Sequence, residues 1–235
     1  MTNLFSIFDP SSSIMNFHLN WNWISSWIGF TILPFYFWTS NSRYLMLNNL
    51  LINLMTKEFS NIFNPKNKPI ILYMTSLFIF ILLNNMLGLL PFVFTASTHL
   101  SFTLTMALTM WIGYFIFKII SNPIHYLAHM VPQQTPILLL PFMVLIETLS
   151  NLIRPFTLAI RLFANMVAGH LLLALMSSSL TILNPLTNIT IILLQILLMI
   201  LETAVSFIQA YVFTMLCTLY IQEDYDKFIT PLPFS

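Results

Sequence analysis

Two apolar runs dominate the second half of the chain, Ile137 to Leu183 and residues 186 to 222, and only Asn184-Pro185 separates them. Each is far longer than the roughly 20 residues a helix needs to cross a bilayer upright. They are expected to form a hairpin of over-long helices that tilt steeply, because the hydrocarbon layer is too thin for them to stand perpendicular. The solvent for such a chain is lipid. Of its 235 residues 58% are hydrophobic and 6% charged, against about 25% charged in ordinary soluble domains, and so few charges cannot cover a soluble surface. The net charge of +1 supplies no basic field for nucleic acid, which is therefore not expected as a partner.

Upstream, residues 21–39 (WNWISSWIGFTILPFYFWT) are apolar, uncharged and rich in interfacial Trp, which predicts a first span. From Arg43 to Lys68 the character changes: Arg43, Lys57, Lys66 and Lys68 stand against Glu58, with leucines and Ile52 at mixed helical spacing. That pattern predicts a helix over 43–62 lying along the membrane surface, and its positive excess puts this loop on the cytoplasm-equivalent side. Residues 70–94, containing Asn84 and Asn85, and residues 98–120, closed by Lys118 and Asn122-Pro123, predict two further spans. The link VPQQTP (131–136) then leads to the two long runs. The whole of 1–235 reads as a single all-α membrane domain. There is no internal repeat or Gly-rich linker. Cys217 sits in an apolar run, so a buried, inert thiol is expected, and MTNLFSIFDPSSS lacks the pattern of a cleaved targeting peptide.

Within the long runs lie Glu147, Arg154, Arg161, His170 and Glu202. A charge at the bilayer centre costs on the order of 2.5 to 3.5 kcal/mol even on the mildest scale, so such residues point to transport chemistry. At about 100° per residue, Glu147, Asn151, Arg154, Arg161 and Asn165 share a narrow sector, a polar stripe roughly 27 Å long. His170 falls about 180° from Arg161 and should serve a different aqueous route. Glu202 and Gln209, seven apart with Ser206 between, make a second polar seam. Carboxylates and imidazole exchange protons, whereas arginine does not release its own. Arg161 is thus a fixed charge, able to strip a proton from a passing carboxylic acid and to block leakage.

Structural readings stand beside these. Arg161 could form an ion pair with Glu147 or Glu202, Arg154 could sit at a hydrated kink before Pro155, His170 could be a satisfied core histidine and Gln209 interhelical glue. His125 and His129 have i, i+4 metal spacing but no third ligand nearby, so no metal site is expected. Asp9, His18 and Glu58 read as solvated faces. The absence of a P-loop argues against phosphoryl-transfer catalysis by the chain itself, and no cofactor is expected. Two alternatives remain open: a redox subunit holding haem or quinone, which would need paired histidines within the spans where only His170 is deep, and a structural assembly subunit.

RLFANMVAGHLLL (161–173) closely resembles the signature of subunit a of F-type ATP synthases, particularly the mitochondrial form. The opening MTNLFSIFDPS, HMVPQQTP (129–136), PFMVLIETLSNLIRP (141–155) and LETAVSFIQAYVF (201–213) extend the likeness over nearly the whole chain. The resemblance implies a static proton channel with two offset half-channels, set against a rotating ring of c-subunits and assembled with the peripheral stalk and small membrane subunits. It also implies an architecture: one upright N-terminal span, a matrix-surface amphipathic helix, a two-helix hairpin and two long tilted helices packed against the c-ring. Arg161 matches the family's essential arginine, Asn165 the asparagine one turn on, and Gln209 the glutamine near the arginine. Glu147 matches the carboxylate of the matrix-side half-channel, and His170, Glu202 and Glu223 are matched to the intermembrane-space half-channel. Bacterial relatives have an acidic residue where His170 stands and a histidine where Glu202 stands, so the arrangement here is the mitochondrial one. The implied location is the mitochondrial inner membrane, with both termini toward the intermembrane space. Phe156 is larger than the family pattern suggests, and DYDKFITPLPFS is a longer tail.

Overall fold

The computed structural model describes residues 8–14, 17–33, 42–63, 68–91, 93–121, 123–131, 136, 139–180 and 185–229. Its long elements are α2 (Arg43–Ile62), α3 (Lys68–Gly88), α4 (Leu100–Ser121), α6 (Leu140–Ser179) and α7 (Pro185–Ile229); α1 (Ser25–Ile32) and α5 (Pro123–His129) are short. Among the described residues four helices are long and apolar enough to cross a membrane: α3, α4, α6 and the Asn188–Gln222 part of α7. This is an all-α integral membrane protein with one small exception. A hairpin of β1 (Ser12–Ile14) and β2 (Phe17–Leu19) pairs Ser12 with Leu19 and Ile14 with Phe17, too short for any period-2 pattern to announce it.

Each boundary has a local cause. Ser42 caps α2 by accepting the Leu45 N–H on Oγ at 3.2 Å. Gly88 closes α3 just before Leu90-Pro91, where a proline cannot continue the ladder. The predicted span over 21–39 opens as a 3-10 turn (Trp21–Ile24) and continues as α1, while residues 34–39 lie outside the described residues. α1 leans closely on α3, because Gly29 carries no side chain: a Cβ there would meet Leu83 Cβ at 3.2 Å, and Phe30 stacks on Phe80 at 5.4 Å.

α6 has 40 residues and α7 has 45, about 60 Å and 68 Å at 1.5 Å per residue. Neither can stand upright in roughly 30 Å of hydrocarbon. α7 also runs past its apolar stretch, carrying Glu223, Asp224 and Asp226 on the same continuous helix. The buried core joins α2, α3, α6 and α7 through Phe59, Met74, Phe78, Ala159, Leu162, Ala210 and Phe213. Outside it, Leu145, Leu149, Leu152, Leu193, Leu197 and Ile200 are exposed, a surface suited to lipid or to partner subunits and not to water.

The expectation that both termini face one side finds no support here. The two ends of the described chain do not share a side: Asp9, Ser11 and Asn22 sit with Leu90, Ser177 and Gln195, whereas Ile221 near the end of α7 accepts from Tyr114 Oη at 3.5 Å and borders Pro69 and Phe117. The physical reason is that α7 is a single unbroken helix, so it finishes at the face opposite the one where it starts.

Candidate functional site

α6 is pinned by a narrow buried stripe of Pro155, Leu158, Ala159, Leu162 and Met166. At 100° per residue this leaves Arg161 and Asn165 on a flank of the helix, and both are exposed. Arg161 makes no hydrogen bond or ion pair with any described residue, so the internal salt bridge to Glu147 or Glu202 is not formed. Asn165, one turn on, donates from Nδ2 to Gln209 Oε1 at 3.0 Å, which ties α6 to α7 beside the arginine. Arg154 lies over the Tyr220 ring, 5.0 Å from its centroid. Pro155 is accommodated within the continuous helix.

The second seam is buried in α7. Glu202, Ser206 and Gln209 are 4%, 0% and 5% exposed, and Thr214 and Thr218 further along α7 are also buried. Ser206 accepts on its main-chain oxygen from Asn85 Nδ2 at 3.5 Å and donates from Oγ to Met86 Sδ at 3.2 Å, so α3 walls this seam. Glu202 faces His170 of α6, with 3.8 Å between Oε1 and Nε2. That is too long for a direct hydrogen bond. Neither carboxylate oxygen nor His170 Nε2 has a hydrogen-bond partner among the described residues, although buried polar atoms normally find one. Gly169 permits the approach, since a Cβ there would lie 2.8 Å from Glu202 Cδ.

His170 opens onto a cavity of about 1110 Å³ walled from four parts of the chain, among them Asp9 and Asn22, Leu90 and Phe94, Ser177, and Gln195 with Met199. The contributions of Asp9, Asn22 and Gln195 were not foreseeable, because the residues are far apart in sequence and carry no periodic signal. With His170 lining the cavity and Glu202 buried against it, the pair can hold and hand on a proton.

The other expected members lie elsewhere. Glu147, half-buried, stands 14 residues before Arg161 on α6, about 21 Å along the axis, while His170 lies about 13 Å the other way. The two groups therefore flank Arg161 from opposite ends. Glu223 does not join His170 and Glu202: it is 21 residues beyond Glu202 on the same helix, about 31 Å away, at the opposite face. Its side chain, like those of His125 and His129, lies outside what the structure describes.

A model of the ATP synthase A chain family matches residues 19–222. The chain is 46% identical over 229 residues to ATP synthase subunit a of Anopheles quadrimaculatus, covering 95% of this chain and 99% of that protein. It is 45% identical to the subunits a of Aedes aegypti and Drosophila melanogaster, with the same coverage. These matches take in α6, α7 and the helices that hold them, and they set aside the redox and assembly alternatives. The chain belongs to the ATP synthase A chain family, as a subunit a of the mitochondrial F-type enzyme.

Proposed function

We propose that Arg161 is the fixed charge at which the acids of a rotating c-ring exchange protons between two offset half-channels, one reaching His170 and Glu202 and the other Glu147. The chain is the proton-translocating subunit of the membrane sector of an ATP synthase, not catalytic by itself, and a multi-pass protein of the mitochondrial inner membrane. The finer reading rests on one observation: a permanently charged guanidinium lies exposed near the middle of a 40-residue apolar helix with no partner among the described residues of its own chain. Such a charge is too costly in lipid to be left alone, so its partner is an acid supplied by another subunit. A c-ring, with one carboxyl per subunit passing in turn, supplies it.

Orientation follows from the cations. Lys68 and Lys118 are chain neighbours of Pro69 and Phe117, which border Ile221, and the positive-inside rule assigns that end of the bundle to the matrix. The cavity then opens to the intermembrane space. A proton enters by this cavity, passes His170 and Glu202, and neutralises a ring carboxylate, which can then turn through lipid. On reaching Arg161 from the other side it discharges toward Glu147, and the guanidinium bars the direct path. Each proton crossing about 100 mV releases about 2.3 kcal/mol, so several are coupled to each ATP. The uncovered apolar faces of α6 and α7 suit the ring, the peripheral stalk and small membrane subunits.

The test is Arg161→Ala in the assembled complex, assayed for proton-driven ATP synthesis and for passive proton leak. Synthesis should vanish and leak should rise. Intact synthesis would overturn the reading.

A further inference from the structure

We propose that Asp9 is the outermost ionisable group of the proton route leading to Glu202, so that the N-terminal segment, and not the two long helices alone, builds that route. The inference rests on the proton-translocating reading above. Asp9 and His170 line one and the same cavity, although the sequence separates them widely. From the sequence Asp9 reads as an ordinary solvated carboxylate; its surroundings give it a position. Its Oδ1 accepts the Ser11 N–H at 3.2 Å and the Ser11 hydroxyl at 3.0 Å, and its main-chain oxygen accepts from Asn22 Nδ2 at 3.2 Å. Ser25 Oγ donates to the Phe94 carbonyl at 2.9 Å, fastening the segment to the loop between α3 and α4. Both carboxylate bonds fall on one oxygen, which leaves the other for exchange with water.

The titratable groups around this space are few. His170 comes from α6, and Glu202 of α7 stands behind it. His99, in the loop before α4, is stacked on Trp23 and Phe94 and is not among the residues lining the cavity. The other polar residues that line it, Ser11, Asn22, Ser25, Thr95, Ser177 and Gln195, are neutral. Among the described residues that line the cavity Asp9 is thus the one anion, exposed beside largely apolar walls, where low-dielectric surroundings focus its field and raise the local proton concentration. The advantage is greatest when protons are scarce, and salt weakens it.

The experiment uses the assembled complex in vesicles, with ATP synthesis measured at constant driving force while the pH on the cavity side is varied. Asp9→Asn keeps the acceptor for Ser11 and removes the charge. It should lower the rate roughly threefold to tenfold at pH 8, converge on wild type at pH 6, and lose most of its effect in high salt; Asp9→Glu should restore the rate. A rate equal to wild type at pH 8, or a loss equal at every pH, overturns the proposal. Should Asp9→Asn fail to assemble on a native gel, Asn22→Asp provides a second test: another rim carboxylate should raise the rate at pH 8, and no gain overturns the proposal. Arg161→Ala in the same vesicles separates the two ideas. If it leaves synthesis intact, the parent reading fails; if it abolishes synthesis while Asp9→Asn tracks wild type, only this inference fails.

Discussion

Asn165 Nδ2 and Gln209 Oε1 are 3.0 Å apart, and this bond joins the two long helices one turn beyond Arg161. Asn165 is exposed whereas Gln209 is 5% exposed, so the amide pair runs from the interior seam of α7 out to the flank where the guanidinium lies. The bond adds to the buried stripe of α6 in holding the helix's rotation about its axis, and with it the direction of Arg161.

A double-mutant cycle on Asn165→Leu and Gln209→Leu should therefore show coupling. Interhelical side-chain bonds in membranes average about 0.6 kcal/mol and reach about 1.7, and the pair is expected within that range when thermal loss of the native complex is followed. Proton-driven synthesis should fall in either single variant. Strict additivity of the two substitutions would show that the helices are held in register without this bond.

Gly169→Ala should be damaging in a way that its chemistry alone does not suggest. The added Cβ would come within 2.8 Å of Glu202 Cδ, and Glu202 is buried, so the carboxyl has little room to retreat. Overpacking of this kind costs about 1–3 kcal/mol. Synthesis should drop several-fold, and Gly169→Ala combined with Glu202→Asp, whose shorter side chain withdraws the carboxyl, should recover part of it. Gly113→Ala serves as the control, since nothing lies within 4 Å of its Cβ position. Equal effects at the two glycines would refute the steric argument.

The unequal legibility of these features has a physical basis. Hydropathy and length are local properties, and they suffice for an all-α membrane protein with helices too long to stand upright. Helical periodicity is nearly as local: it separates Arg161 from His170 by half a turn, and the structure has the first exposed and the second turned toward Glu202. What fails is anything that depends on the direction in which a distant segment returns. The match of Glu223 to the route of His170 is one such case, since on the unbroken α7 its backbone lies about 31 Å beyond Glu202. The cavity could not be read at all, because Asp9, Leu90, Ser177 and Gln195 meet only through tertiary packing. The hairpin of β1 and β2 was missed because three residues per strand carry too little alternation.

Arg154 invites a different expectation from Arg161, although both share the polar stripe. Its guanidinium carbon lies 5.0 Å from the centre of the Tyr220 ring, within the range of a cation–π contact worth about 0.5–2 kcal/mol. Tyr220→Leu should lower the temperature at which the complex is lost by that equivalent and leave coupling between proton flow and synthesis intact. Tyr220→Phe, which keeps the ring, should behave as wild type. A rise in passive leak on Tyr220→Leu would mean that Arg154 takes part in transport.

His99 should make the packing of the N-terminal segment depend on pH. It lies just before α4, outside the membrane-spanning helices, and burial pushes its pKa below the ordinary value of 6.5, partly opposed by its hydrogen bond to the Phe8 backbone. The faces of Trp23, at 5.1 Å, and Phe94, at 5.0 Å, would welcome a cation, but Nε2 is buried without an acceptor among the described residues, and desolvation of the charged ring dominates. The folded protein thus binds this proton less readily than the unfolded segment does. Stability is complete above pH 6.5 and declines as pH falls from 6.5 toward the lowered folded-state value, below which the loss levels off. Amide exchange in residues 17–25 should therefore rise, beyond its intrinsic pH dependence, between pH 7.5 and pH 5. His99→Gln removes the titrating group and should abolish the excess; an unchanged profile in that variant would assign the pH response to another group.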